Sequence, residues 1–184
     1  MLRQRLCESA NVRFARDGFD ATTIEDITRD AGVSRRTFFR HFESKEDIVL
    51  SQLEDTGAIV YEALSKRPAA ESPLLAMRNC FKALDEQALG ERCRRLLLGE
   101  LIDKTTSLRA LMLLRQQAWE EEIARRLAQR MGLPADDRLA SLLATLGFAA
   151  FRLASRDSRL SGALTLADAI DQNFDRLAGI GRPA

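Results

Sequence analysis

At 184 residues, 46% hydrophobic and 30% charged, the chain is long enough for one large domain or a small one joined to a medium one, and apolar enough for a real core. A formal net charge of +1 excludes a polycation, so any anion binding must come from local placement. Three cysteines (Cys7, Cys80, Cys93), with no CxxC spacing and a single histidine, His41, fit neither a disulfide framework nor a recognisable metal site, and no metal or cofactor is expected.

Met1 leads straight into a charged amphipathic segment, not a signal peptide. No apolar run approaches the roughly twenty residues a membrane span needs. The cytoplasm is the expected compartment, with no membrane partner. Ten glycines, four prolines and the lack of long Val/Ile/Thr runs point to an all-α fold.

Residues 2 to 17 form the first predicted helix, with Leu2, Leu6, Ala10 and Phe14 at four-residue steps. Gly18 stops it and Phe19 follows as a hydrophobic anchor. In "DATTIEDITRDAG", either Thr22 with Glu25 or Thr23 with Asp26 makes a capping box, so a second helix over about 24 to 31 is signalled twice. Gly32 ends it. Ser34 caps a third, short helix to about His41. Ser44, with Asp47 three residues on, caps a fourth that runs to about Lys66, with Gly57 able to bend it. "KRPAAESP" is the clearest linker. Five more helices follow, over 74 to 89, 91 to 103, 107 to 131, 137 to 156 and 166 to 178, the last capped by Thr165 with Asp168. The total is nine helices and no strand.

The second and third helices, joined through Ala31-Gly32-Val33, make a helix-turn-helix pattern over about 23 to 42. Residues 33 to 42 hold Arg35, Arg36, Arg40, His41 and three phenylalanines, with no acid. Phe38 and Phe42 lie four apart and share a face, which should dock on the first two helices. Arg35, Arg36, Thr37, Arg40 and His41 then share the outer surface. That surface suits a DNA major groove, because an arginine fork donates two parallel bonds to a guanine edge or a phosphate. Ser34 opens this helix. Thr22 or Thr23 and Ser44-Lys45 open the neighbouring helices, whose N-termini, with the Lys45 charge, could clamp phosphates.

The run "GFDATTIEDITRDAGVSRRTFFRHFESKEDI", with Phe14 and Gly18, resembles the DNA-binding domain of the TetR/AcrR family of bacterial transcriptional regulators. The resemblance covers residues 1 to about 60. It implies an N-terminal three-helix DNA-binding domain (1–60) and a larger helical-bundle domain for effector binding and dimerisation (61–184). It further implies a homodimer placing its third helices in successive major grooves of a palindromic operator. Two positions depart from the family. Many relatives carry a tyrosine where Phe39 stands, and Phe39 can pack but cannot donate to DNA. Arg13 stands where an apolar residue is common. The segment "SLRALMLLRQQAWEEEIARRLAQRMGLPADDRLASLLATLGFAAFR" resembles the branch that includes mycofactocin-system regulators, which are associated with acyl-CoA-type effectors.

In the second half, Met77, Phe81, Leu98, Met112, Trp119 and Phe148 are candidates to line an effector pocket, or else simply fill a core. Phe151, Leu166, Ile170 and Phe174 are candidates for a four-helix dimer seam. Arg92, Arg94 and Arg95 beside Cys93 could hold an anionic head group or form a solvated face. The favoured reading is a ligand-responsive repressor that is not an enzyme, released from DNA by a small apolar or acyl-type effector. The alternative is a DNA-binding protein with no effector pocket. A helical enzyme is disfavoured, for want of a Ser/Cys–His pair or a phosphate-cradling glycine loop. A scaffold whose basic helix meets an acidic protein is the remaining alternative.

Overall fold

The computed structural model describes residues 1–86, 92–161 and 164–180. All regular structure among them is helical: α1 Leu2–Asp17, α2 Ile24–Asp30, α3 Arg35–Phe39, α4 Lys45–Leu50, α5 Asp55–Ser65, α6 Pro73–Glu86, α7 Arg92–Lys104, α8 Thr106–Met131, α9 Arg138–Ser161 and α10 Leu166–Gly179. The expected fourth helix is divided, because α4 passes through a 3₁₀ turn at Ser51–Leu53 before α5 begins. Counted as one segment, these give the nine helices of the sequence.

The helix ends follow local chemistry. Gly18 closes α1 at φ 83°, donating its N–H to the Phe14 carbonyl. Of the two capping boxes the sequence allows at α2, the chain uses Thr23 with Asp26. Thr23 Oγ1 accepts from the Asp26 N–H, and the Asp26 carboxylate accepts from the Thr23 N–H. At α4 the Ser44 hydroxyl accepts from the Asp47 N–H at 3.1 Å, but the Asp47 carboxylate accepts from the Glu43 N–H rather than that of Ser44.

The chain forms two compact units, each assembled from two stretches: Met1–Asp55 with Glu91–Leu113, and Thr56–Gly90 with Leu114–Ala184. The units therefore do not follow a single linear cut near residue 60. In the first, Leu6, Ala10 and Phe14 of α1 pack with Ile27, Phe38, Phe42, Ile48 and Val49, and with Leu98, Leu101 and Leu108. Burial of each large apolar side chain contributes about 1.5–3 kcal/mol, so the short helices α2 to α4 are held by packing, not by propensity. Arg13 explains its own departure from an apolar residue. Its fork binds Asp30 at 2.5 and 2.8 Å and Asp17 at 3.3 Å, tying α1 to the end of α2.

In the second unit, α10 packs against α9 and α6. The core holds Met77, Phe81, Ile123, Leu127, Phe148, Ile170 and Phe174. The predicted linker at 66–73 is fastened down. Arg130 donates to the carbonyls of Arg67, Pro68 and Glu71, and Arg67 binds Glu71 through two N–H groups. Helix α9 is long and apolar enough, by length and composition, to cross a membrane. Arg152 interrupts its uncharged run, and Ala140, Ala144, Gly147, Phe148, Ala150 and Ala154 are buried within the unit.

Candidate nucleic-acid interface

The third helix is anchored as its sequence requires. Phe38 and Phe42 are 0% and 2% exposed, their ring centroids 5.6 Å apart. Gly32 makes the preceding turn at φ 63°, a backbone region that favours glycine. Ser34 caps α3, its hydroxyl accepting from the Thr37 N–H at 3.1 Å and lying 2.9 Å from the Thr37 hydroxyl. Arg35, Arg36, Phe39 and Arg40 remain exposed. Arg36, Thr37, Phe39 and Arg40 line a shallow surface hollow.

The cations are not equivalent. Arg35 pairs with Glu25 of α2 and lies over the Phe39 ring, 5.5 Å from its centroid. Arg36 and Arg40 make no ion pair or side-chain hydrogen bond among the described residues. Their guanidinium groups are open to an incoming acceptor. Phe39, itself 46% exposed, stands edge-on to Phe38 at 5.4 Å. It offers a flat apolar surface where a hydroxyl would offer a bond. His41 is half-buried, and its Nε2 is buried without a partner.

Two residues expected at this surface have other occupations. Thr22 is 1% exposed and donates its hydroxyl to the Gly18 carbonyl at 2.7 Å. It closes the turn between α1 and α2 and is not presented outward; Thr23, the N-cap, is. Lys45 donates to the carbonyls of Phe19 and Thr22 at 2.6 and 2.8 Å, with its ammonium 4.3 Å from the Phe19 ring centroid. Two of its three donors are thus used inside the unit. Glu25 was not foreseen at this surface. It reaches Arg35 across the helix-turn-helix, ten positions away, and no local spacing signals such a pair.

The remaining candidates separate by unit. Leu98 and Met112 belong to the first core. Met77, Phe81 and Phe148 are buried in the second, with Trp119 packed against them. That second core is filled. Phe81 stacks on Phe151 at 4.6 Å and meets Phe148 edge-on at 5.0 Å. A methyl at Gly147 would come within 2.3 Å of Met77 Cε. A cleft of this unit is lined by Glu62, Ala63, Lys66, Arg67, Asn79, Lys82 and Ala83, none of them a pocket candidate.

Ile170 and Phe174, at 0% and 2% exposed, belong to the unit's own core and are not available to a partner copy; Phe151 and Leu166 are half-buried against that core. Cys93 is exposed and the Arg92 side chain lies outside what is described. Among the described residues no group of three or more His, Cys, Asp or Glu side chains could hold a metal ion.

Residues 6–51 match the model for bacterial regulatory proteins of the tetR family, and residues 68–180 match that for the MftR C-terminal domain. The chain belongs to the tetR family of bacterial regulatory proteins. It is 31% identical over 181 residues to the candidate mycofactocin biosynthesis transcriptional regulator MftR of Mycobacterium tuberculosis, covering 92% of this chain and 86% of that one. It is 35% identical over 141 residues to the HTH-type transcriptional regulator TcmR of Streptomyces glaucescens, covering 73% of this chain but only 62% of TcmR. The fold is shared with the transcriptional regulator FadR from Bacillus subtilis, whose crystal structure is in complex with stearoyl-CoA (TM-score 0.68, 13% identity, 95% of this chain and 96% of that one). As a member of that family the chain is a DNA-binding transcriptional regulator, and the relatives are regulators, not enzymes.

Proposed function

We propose that the protein is a homodimeric repressor that binds a palindromic operator through α3 and is released by a small apolar, acyl-type effector. The observation that carries the DNA reading is the division of α3. Phe38 and Phe42 are sealed inside, while Arg36, Thr37 and Arg40 line the outside, the two arginines without an ion pair or side-chain hydrogen bond among the described residues. Arg36, Thr37 and Arg40 supply base contacts; Ser34, Thr23 and His41 lie at the margins, suited to phosphates.

A dimer is supported by α9. Leu139, Leu142, Leu146 and Leu153 are exposed at 50%, 55%, 36% and 54%. Their spacing of three, four and seven residues puts them on one seam. Such an open stripe fits a second copy of itself across a two-fold axis. Two recognition helices then meet half-sites about 34–36 Å apart or multiples of that distance.

The effector reading rests on the fold shared with acyl-CoA-bound FadR. Its physical requirement is specific. Because the Phe81 cluster is filled, a ligand must part Phe81, Phe148 and Met77, and it selects a state in which the half-site spacing no longer matches the groove. The filled core also favours a second reading, a DNA-binding regulator with no effector.

Selection of duplexes from a random library, followed by footprinting, tests the first claim. An enriched palindrome protected in two half-sites is expected; no enrichment refutes it. Sedimentation of Leu146→Glu beside the parent protein tests the dimer. Titration of the protein–duplex complex with stearoyl-CoA tests release, and a complex unmoved at saturating ligand leaves the second reading standing.

A further inference from the structure

Glu25 is a carboxylate on a surface otherwise built to receive anions. It lies in the first turn of α2, its side chain 50% exposed, and its Oε1 accepts from Arg35 Nη1. The Arg35 side chain is itself 63% exposed, and its guanidinium is further placed by the Phe39 ring at 5.5 Å. Of the three guanidinium groups on or beside α3, one therefore carries its counter-charge with it; Arg36 and Arg40 do not.

We infer that Glu25 is a specificity-determining residue: it withholds Arg35 from the phosphates of arbitrary DNA and yields it only at the selected site. The inference rests on the reading that α3 meets DNA. Its physics has two parts. An ion pair this exposed is weak, so it does not lock Arg35 permanently. A bidentate bond to a guanine edge or a phosphate is stronger and can displace it when α3 is fully seated.

On arbitrary DNA the protein is not seated closely enough to make that exchange. Freeing Arg35 there leaves a carboxylate facing phosphates, a repulsion with nothing to offset it. The arrangement lowers affinity for every wrong sequence more than for the right one, which is how specificity arises from an unfavourable element. In binding arbitrary DNA each subunit's α3 region thus neutralises phosphates with two arginines rather than three.

The test uses the full chain, a fluorescent duplex of scrambled sequence and a duplex enriched from a random library by the parent protein. Glu25→Gln is expected to tighten binding to the scrambled duplex. It should steepen the dependence of log K on log salt by about 0.9 per subunit, which is roughly a threefold larger loss of affinity between 50 and 200 mM salt. Affinity for the enriched duplex should rise less, so the ratio between the two falls.

In an Arg35→Ala background, the same Glu25→Gln change should leave scrambled-duplex binding nearly unmoved. Equal tightening with and without Arg35 would mean that Glu25 merely repels phosphate, and would overturn the inference. So would a salt slope that Glu25→Gln does not change. If no duplex can be enriched at all, the proposed sequence-specific function fails, whereas the scrambled-duplex slopes still decide whether Glu25 restrains Arg35.

Discussion

Lys45 looks like a phosphate clamp in the sequence and a strut in the structure, and a single substitution separates the two roles. Lys45→Met keeps the aliphatic stem and removes the ammonium. It abolishes two bonds, to the Phe19 carbonyl at 2.6 Å and the Thr22 carbonyl at 2.8 Å, and the contact over the Phe19 ring at 4.3 Å. A hydrogen bond to a charged group contributes about 1.5–3 kcal/mol, and an exposed cation–π contact about 0.5–1 kcal/mol. Lys45 is half-buried, so the low end applies and the carbonyls regain water in part. The expected loss is about 2–3 kcal/mol, which lowers the urea midpoint by about 1 M at an m-value of 1–3 kcal/mol/M. The probe must be helical circular dichroism, because the single tryptophan, Trp119, sits in the other unit. At temperatures where the variant remains folded, the salt slope of DNA binding should be unchanged. An unmoved midpoint together with a slope reduced by about 0.9 per subunit would show that Lys45 serves DNA and not the turn.

Other consequences are as direct. Arg36→Ala or Thr37→Ala should alter the sequence enriched from a random library, because each removes a donor from the outer face of α3; a lost bidentate base contact relaxes discrimination by about 1–3 kcal/mol. At mildly alkaline pH one thiol should react rapidly with a disulfide reagent, the exposed Cys93, and Cys93→Ser should abolish that phase. Burial pushes the Cys80 thiol up to about 12, from an ordinary value of 9.0. The unfolded chain therefore loses that proton first, and Cys80 lowers stability as pH rises from about 9 towards 12; a Cys80→Ala variant should show a shallower alkaline fall in urea midpoint. Gly57→Ala places a methyl 2.6 Å from the Trp119 indole. The helix gains about 0.5–1 kcal/mol from losing a glycine, but overpacking against a rigid ring costs about 1–3 kcal/mol. A net loss with shifted Trp119 emission is expected, and a more stable variant with unchanged emission would refute it.

What the sequence disclosed follows from what is local. Thr23, Ser34, Ser44 and Thr165 each cap a helix whose own third residue supplies the partner N–H. Phe38 and Phe42 share a face by helical geometry alone. These features need only a few consecutive residues, so the helix boundaries and the anchored side of α3 were legible. The fates of Thr22, Lys45 and Glu25 were not, because each is decided by partners four to twenty-six positions away, brought near only when the unit closes.

The proposed dimer seam exposes the same limit more sharply. Ile170 and Phe174 and the leucines of α9 follow equally good helical periods, and a period says that a face is apolar without saying what covers it. In the folded chain α10 spends its apolar face on α9 and α6. Leu139, Leu142, Leu146 and Leu153 of α9 stay exposed at the surface. The chain buries the more aromatic of two similar stripes and leaves the leucine stripe open, which is why the proposed dimer is placed on α9. For that reason Leu146→Glu, and not a change at Phe174, is the substitution that separates assembly from folding: a charge at Phe174 falls in the unit's own core, whereas one at Leu146 is solvated in the monomer and intolerable only when a second copy arrives.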